Sequence, residues 1–167
     1  NDAITANIGN RSIFEAAGEG SVLNIKDGAD IRGETSANSG RYRAYHIFAH
    51  DGAKVFHDAT TSVPNYKGQN ALIDNAEFTN RGTLLLGDGK TRIHGDQVTG
   101  ENARYTNLGT IAVEAFNLAN NDPTDNKVIA NIGVTASGSS LVTNEKGGKL
   151  LLGQKGIGKN EGTVTGV

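Results

Sequence analysis

Histidines are the residues of this chain best suited to chemistry. Three of the four, His46, His50 and His57, fall in one stretch with Tyr42, Tyr45, Phe48, Phe56 and Tyr66; the fourth is His94. His50-Asp51 and His57-Asp58 form a pair repeated seven residues apart. Imidazole and carboxylate together suit divalent metals. No metal site is assigned, and each His-Asp reads as a strand end that turns. A second reading is a ligand surface, because Tyr and Arg dominate interface hot spots. Arg41, Tyr42, Arg43, Tyr45 and Tyr66 would supply it. The plainer alternative makes residues 41–69 a loop or cap inserted over the end of the fold.

Other candidates are weaker. Ser137-Gly138-Ser139 is small and polar, but Gly-x-Ser-x-Gly is absent, and a serine nucleophile needs a base and an acid around it. Gly87-Asp88-Gly89-Lys90 and the glycine run at 153–159 look like phosphate loops. The second has Asn160 where a P-loop has Ser or Thr, and no helix signal follows to hold phosphate. Asp122-Pro123-Thr124-Asp125-Asn126 offers oxygens for calcium without the spacing of an EF-hand. It reads as a surface loop. Asp88, Asp96, Glu101 and Glu114 are scattered, with no spacing that marks a catalytic pair of acids. No catalytic residue and no cofactor is assigned.

The elements that would position these groups are strands. The 167 residues are one domain's worth. Gly numbers 23 and Asn 18, with only 2 Pro. Ile, Leu, Val and Phe exceed the roughly 20 % below which highly charged chains tend to be disordered, and the formal net charge is only −2. Zero cysteines exclude disulfides, thiolate zinc and a cysteine nucleophile. A pI near 6.1 offers no basic footprint for nucleic acid. Apolar runs stop at three residues, far short of the roughly 20 that cross a bilayer. The chain starts at Asn1 without Met and ends at Val167 with no secretion signal inside it. It is expected to be an excised fragment.

Apolar residues come in runs of two or three between Gly, Asn and Asp, which is a strand-and-turn signature. Strands are expected at 21–25, 29–32, 83–86, 111–113, 128–132, 149–152 and 163–164. The best helix candidate, 117–121, is short. A repeat emerges when the turns are aligned: Phe78-Thr79-Asn80-Arg81-Gly82-Thr83, Tyr105-Thr106-Asn107-Leu108-Gly109-Thr110, Val142-Thr143-Asn144-Glu145 leading to Gly147-Gly148-Lys149, and Asn160-Glu161-Gly162-Thr163. The intervals between the Asn residues are 27, 37 and 16. Gly takes φ > 0 freely and Asn tolerates it, so each Asn-x-Gly is expected to be a corner built on left-handed backbone. Corners that launch strands at intervals of a few tens of residues suit stacked coils better than hairpins. Asn and Thr at equivalent positions would then form ladders.

These Asn-x-Gly-Thr-apolar turns, in a Gly/Asn/Thr-rich, cysteine-free, mildly acidic chain, resemble the passenger domains of bacterial type V autotransporters. The motif-bearing part is 78–167; 20–25 and 28–33 resemble the family more loosely. The resemblance implies an all-β fold, a right-handed parallel β-helix (solenoid) over 1–167, with protruding loops that absorb the uneven spacing. It implies a fragment of a longer secreted passenger on the Gram-negative cell surface, with a signal peptide before it and an outer-membrane barrel after it. It further implies a non-enzymatic adhesin, attached to host or neighbouring bacterial cells through glycan, protein or itself, with a part in virulence and biofilm formation. No nucleic-acid partner and no membrane insertion of this segment are expected. Two alternatives stand beside it: a carbohydrate-active β-helix enzyme, and a purely structural spacer or cap of a larger surface protein.

Overall fold

The computed structural model describes residues 11–29, 44–63, 68–87, 94–113, 130–152 and 163–165. Every strand among them pairs in parallel, and no helix occurs among the described residues. The chain passes in turn through three sheets. The first sheet stacks β1 (Arg11–Ala17), β3 (Ala44–His50), β6 (Gly68–Asp74), β9 (His94–Thr99), β12 (Ala130–Ala136) and β15 (Thr163–Thr165). The second stacks β2 (Val22–Ile25), β4 (Lys54–His57), β7 (Glu77–Asn80), β10 (Arg104–Asn107) and β13 (Leu141–Asn144). The third stacks β5 (Thr60–Val63), β8 (Thr83–Leu86), β11 (Thr110–Val113) and β14 (Lys149–Leu152). Each pass is therefore one coil of a three-sided, solenoid-like parallel β fold.

Strands form here because short alternating segments place one apolar file inward per sheet, and stacking in register makes each file continuous. Leu23, Val55, Phe78, Tyr105 and Val142 form one inward file. Phe78 and Tyr105 stack with ring centroids 5.0 Å apart, within the favoured range for offset aromatic pairs. Val63, Leu86 and Val113 form another file, and Ala49, Ile73 and Val98 a third. A narrow core of small and branched residues results.

The two kinds of corner differ. Between the first and second sheets the chain uses left-handed backbone: Asp51 (φ 54°), Gly52 (φ 85°), Asn75 (φ 49°) and Gly100 (φ 91°). Between the second and third sheets the stretched third copy does so too, at Gly147 (φ 97°), but the first two copies do not. Asn80, Gly82, Asn107 and Gly109 all have ordinary φ, which corrects the expectation of φ > 0 there. The amides of Leu108 and Gly109 both donate to the Asn80 carbonyl one coil below, at 2.8 and 3.0 Å, and Thr110 donates to Gly82 at 2.8 Å. This draws the coils so close that a Cβ on Gly109 would run into the Gly82 carbonyl, and one on Gly82 into that of Ala59. At Gly82 and Gly109 glycine is required by proximity, not by dihedral.

The expected strands at 83–86 and 149–152 match β8 and β14, and those at 21–25, 111–113, 128–132 and 163–164 overlap β2, β11, β12 and β15. Two readings change. Within 41–69, residues 44–63 build β3, β4 and β5, a regular coil in register with the next; its aromatic and His content does not prevent alternation, so this part is no loop or cap. Thr163 follows an Asn-x-Gly but enters the first sheet, opposite Ala130, not the third sheet as Thr83 and Thr110 do. Residue 29 lies outside any strand; 30–32, the helix candidate 117–121, the Asp122–Asn126 turn and the glycine run 153–159 lie outside the described residues.

Candidate functional site

Outward positions of the second and third sheets form the broad flank of the stack. On the second sheet, Lys54, Glu77, Arg104 and Leu141 align in one exposed file, and Phe56, Thr79, Thr106 and Thr143 in the next. Lys54 Nζ meets Glu77 Oε2 at 3.1 Å. Arg81 forms a two-pronged pair with Asp58 (2.7 and 3.0 Å) and covers the Phe56 ring at 4.9 Å. On the third sheet Thr60, Thr83, Thr110 and Lys149 form one file, and Ser62, Leu85, Ala112 and Leu151 its neighbour. These eight outward positions carry no carboxylate.

Inside the stack run two polar files. The first follows the corner between the second and third sheets: His57, Asn80, Asn107 and Asn144 are partners in register. His57 Nδ1 lies 2.9 Å from Asn80 Oδ1. Asn80 Nδ2 donates to Asn107 Oδ1 at 2.8 Å, and Asn107 Nδ2 to Asn144 Oδ1 at 2.7 Å. Asn144 Nδ2 ends the chain on the Gly148 carbonyl at 3.1 Å. The carbonyl can only accept, so it sets the direction of every amide before it. His57 must then donate from Nδ1 and accept the Thr61 hydroxyl, 2.7 Å away, at Nε2. Burial lowers the pKa of His57 against the raising effect of Asn80 and Asp58, consistent with a neutral ring.

The second file lies where the first sheet's pairing is interrupted. Tyr45 pairs with Gln69 and Ile47 with Ala71, which puts His46 level with Asn70. Ile132 pairs with His94 and Val134 with Asp96, which puts Gly95 level with Gly133. Asp96 is fully buried; Oδ2 accepts Tyr105 Oη at 2.6 Å and Oδ1 accepts the Ala71 amide at 3.0 Å. Burial raises its pKa to about 6 against those hydrogen bonds and a contribution from Asn70. Burial likewise lowers His46 to about 4, against a raising contribution from Asn70. Asn70 thus stands between ring and carboxylate. Asn70 is in polar contact with both, yet neither contact has the geometry of a hydrogen bond, and both His46 ring nitrogens and both Asn70 amide atoms are buried without a well-formed partner among the described residues.

Of the five residues assigned to a ligand surface, only Tyr45 is described. It is 7 % exposed and its Oη donates to Gln97 Oε1 at 3.0 Å; its ring is packed, so it is not an exposed anchor. Arg41, Tyr42, Arg43 and Tyr66 lie outside the described residues. His50 and His57 both end strands, as read from the sequence, but their surroundings diverge. His50 is partly exposed between Glu15 (3.0 Å) and Asp51 (2.7 Å), which raise its pKa, Glu15 most. Among the described residues no three His, Asp or Glu side chains are placed to hold a metal ion. Ser137, Gly138 and Ser139 make the exposed turn from β12 to β13. Asp96, named among the scattered acids, is closed to solvent, while Glu101 is exposed at a corner.

The sequence reading missed one copy of the repeat. Val55-Phe56-His57-Asp58-Ala59-Thr60 occupies the corner one coil before Phe78–Thr83, with His in place of Asn and Ala in place of Gly. The apolar residue two before His57 and the Thr three after it were the available signal. No protein-family model, curated protein or solved structure gives a significant match to the chain.

Proposed function

We propose that this chain is a segment of a bacterial surface adhesin, a right-handed parallel β-helix from an autotransporter passenger. It acts extracellularly without catalysis, by binding glycan or protein on other cells, or a second copy of itself. The observation that carries the reading is the flank of the second and third sheets, where threonine hydroxyls recur in register from coil to coil. Strands spaced about 4.8 Å apart repeat one weak contact many times on a rigid support. Right-handed winding is supported by the strong preference for that hand in crossovers between parallel strands. Burial of Asp96 speaks against its use as a glycosidase acid, because substrate cannot reach it.

The test is binding of the purified chain to host cells, bacterial cells and a glycan panel, with self-association followed by sedimentation. Binding to at least one partner is expected, reduced tenfold or more by Thr83→Glu or by Thr110→Glu singly, each with little change in melting temperature. A monodisperse monomer that binds none of them would sink the adhesin reading and favour a structural spacer.

A further inference from the structure

Buried polar groups in folded proteins are satisfied with few exceptions, and leaving one unmet costs about 1–3 kcal/mol. Four such atoms gather at one level of this core: Nδ1 and Nε2 of His46, and Nδ2 and Oδ1 of Asn70. His46 is 2 % exposed and Asn70 0 %. Their neighbour is the Asp96 carboxylate, each of whose oxygens has one described donor, the Ala71 amide and the Tyr105 hydroxyl, and so retains a further lone pair. The next two rungs at the level of His46 and Asn70 are Gly95 and Gly133, both buried. Neither carries a side chain at that level. Unmet donors and acceptors therefore coincide at a level whose next two rungs carry no side chain.

We propose that this level of the core is an internal water site, in which one or two ordered water molecules bridge the Asn70 amide to the His46 ring and the Asp96 carboxylate. Water suits the set because it both donates and accepts. Asn70 offers one of each, neutral His46 offers one of each, and Asp96 only accepts. A buried water typically makes about three hydrogen bonds, which these three side chains can supply. A metal cation suits it less: it would need acceptors throughout, whereas the amide and the ring each also present a donor. The water would link Tyr105, Asp96, Asn70 and His46 into one hydrogen-bonded row across three coils.

The test is a high-resolution crystal structure of the chain, grown with sodium and then with rubidium as the only monovalent metal cation, together with melting of Asn70→Leu. A density peak is expected within hydrogen-bond distance of the Asn70 amide and of His46 or Asp96, with no anomalous signal in rubidium. The Asn70→Leu chain should lose the peak and melt several degrees lower. A dry site, a peak that acquires rubidium signal, or an Asn70→Leu chain that melts at or above the parent each overturns the proposal. Crystals of the unsubstituted chain identify the occupant alone, so a variant that fails to fold leaves the test in force.

Discussion

Two polar files run through the same core, each beginning at a histidine and passing next to an asparagine, and they differ in completeness. From His57 to Asn144 every side-chain amide donates to the next. The amides also reach backbone carbonyls, Thr110 from Asn80 at 3.3 Å and Lys149 from Asn107 at 3.4 Å. From His46 to Asp96 the side chains are neighbours without such a chain. The difference lies in repetition. In-register parallel strands set equivalent side chains one strand spacing apart, a distance that identical amides bridge. His57, Asn80, Asn107 and Asn144 hold equivalent positions. Asp96 instead pairs in register with Val134 and sits one residue beyond the Asn70 level. Polar residues in a parallel stack satisfy one another when both residue type and register repeat.

The largest expected effect breaks the frame of the complete file. Gly109→Ala places a methyl group against the Gly82 carbonyl, and backbone hydrogen bonds hold both coils there. A loss of about 3 kcal/mol or more is expected in urea unfolding, against little for Gly138→Ala beyond its φ strain, since that position faces open space. Asn107→Ala comes next. It removes one of the two acceptors of the buried Asn80 Nδ2 and the donor to Asn144 Oδ1, which water can replace, an expected loss of about 1–3 kcal/mol. If Asn107→Ala costs no more than Asn144→Ala at the exposed end, the ladder is not a continuous network.

The incomplete file should respond with the opposite sign. Asp96 is held at about 6 in the fold against 3.8 otherwise, so its charge at pH 8 opposes folding by about 3 kcal/mol. Asp96→Asn is therefore expected to stabilise the chain at pH 8, by at most that amount. The gain over the parent should grow between pH 4 and pH 6 and then level. His46 works the other way. The unfolded chain takes its proton at 6.5 and the folded chain only near 4, so acidification across that window weakens the fold. The gain of His46→Gln over the parent should grow as pH falls from 6.5 to 4. The two slopes offset each other in the parent between about pH 4 and 6. Denaturant midpoints of the three chains at several pH values measure this; parallel pH profiles would refute the opposition. The smallest effect is expected for Asn144→Ala, under about 1 kcal/mol, because Asn144 is exposed.

Much of the architecture was legible along the chain. Strands at 83–86 and 149–152 and the equivalence of the Asn80, Asn107 and Asn144 corners follow from local alternation and from a motif that repeats in order. Less of the chemistry was legible. The aromatic and His-rich stretch looked like an insertion, because its corner uses His57 and Ala59 where the motif has Asn and Gly. Tyr45 looked like a binding residue, and alternation could not foresee that its ring would be packed.

By itself, the sequence determined that the chain forms short strands with glycine at the corners, because propensity and alternation act over a few neighbouring residues. Only the stacking of coils decided why those glycines are needed, which histidine heads a complete file and which carboxylate is enclosed. Those outcomes depend on partners 23, 27 and 37 residues away. Register brings such residues within hydrogen-bond distance, and no local pattern encodes it.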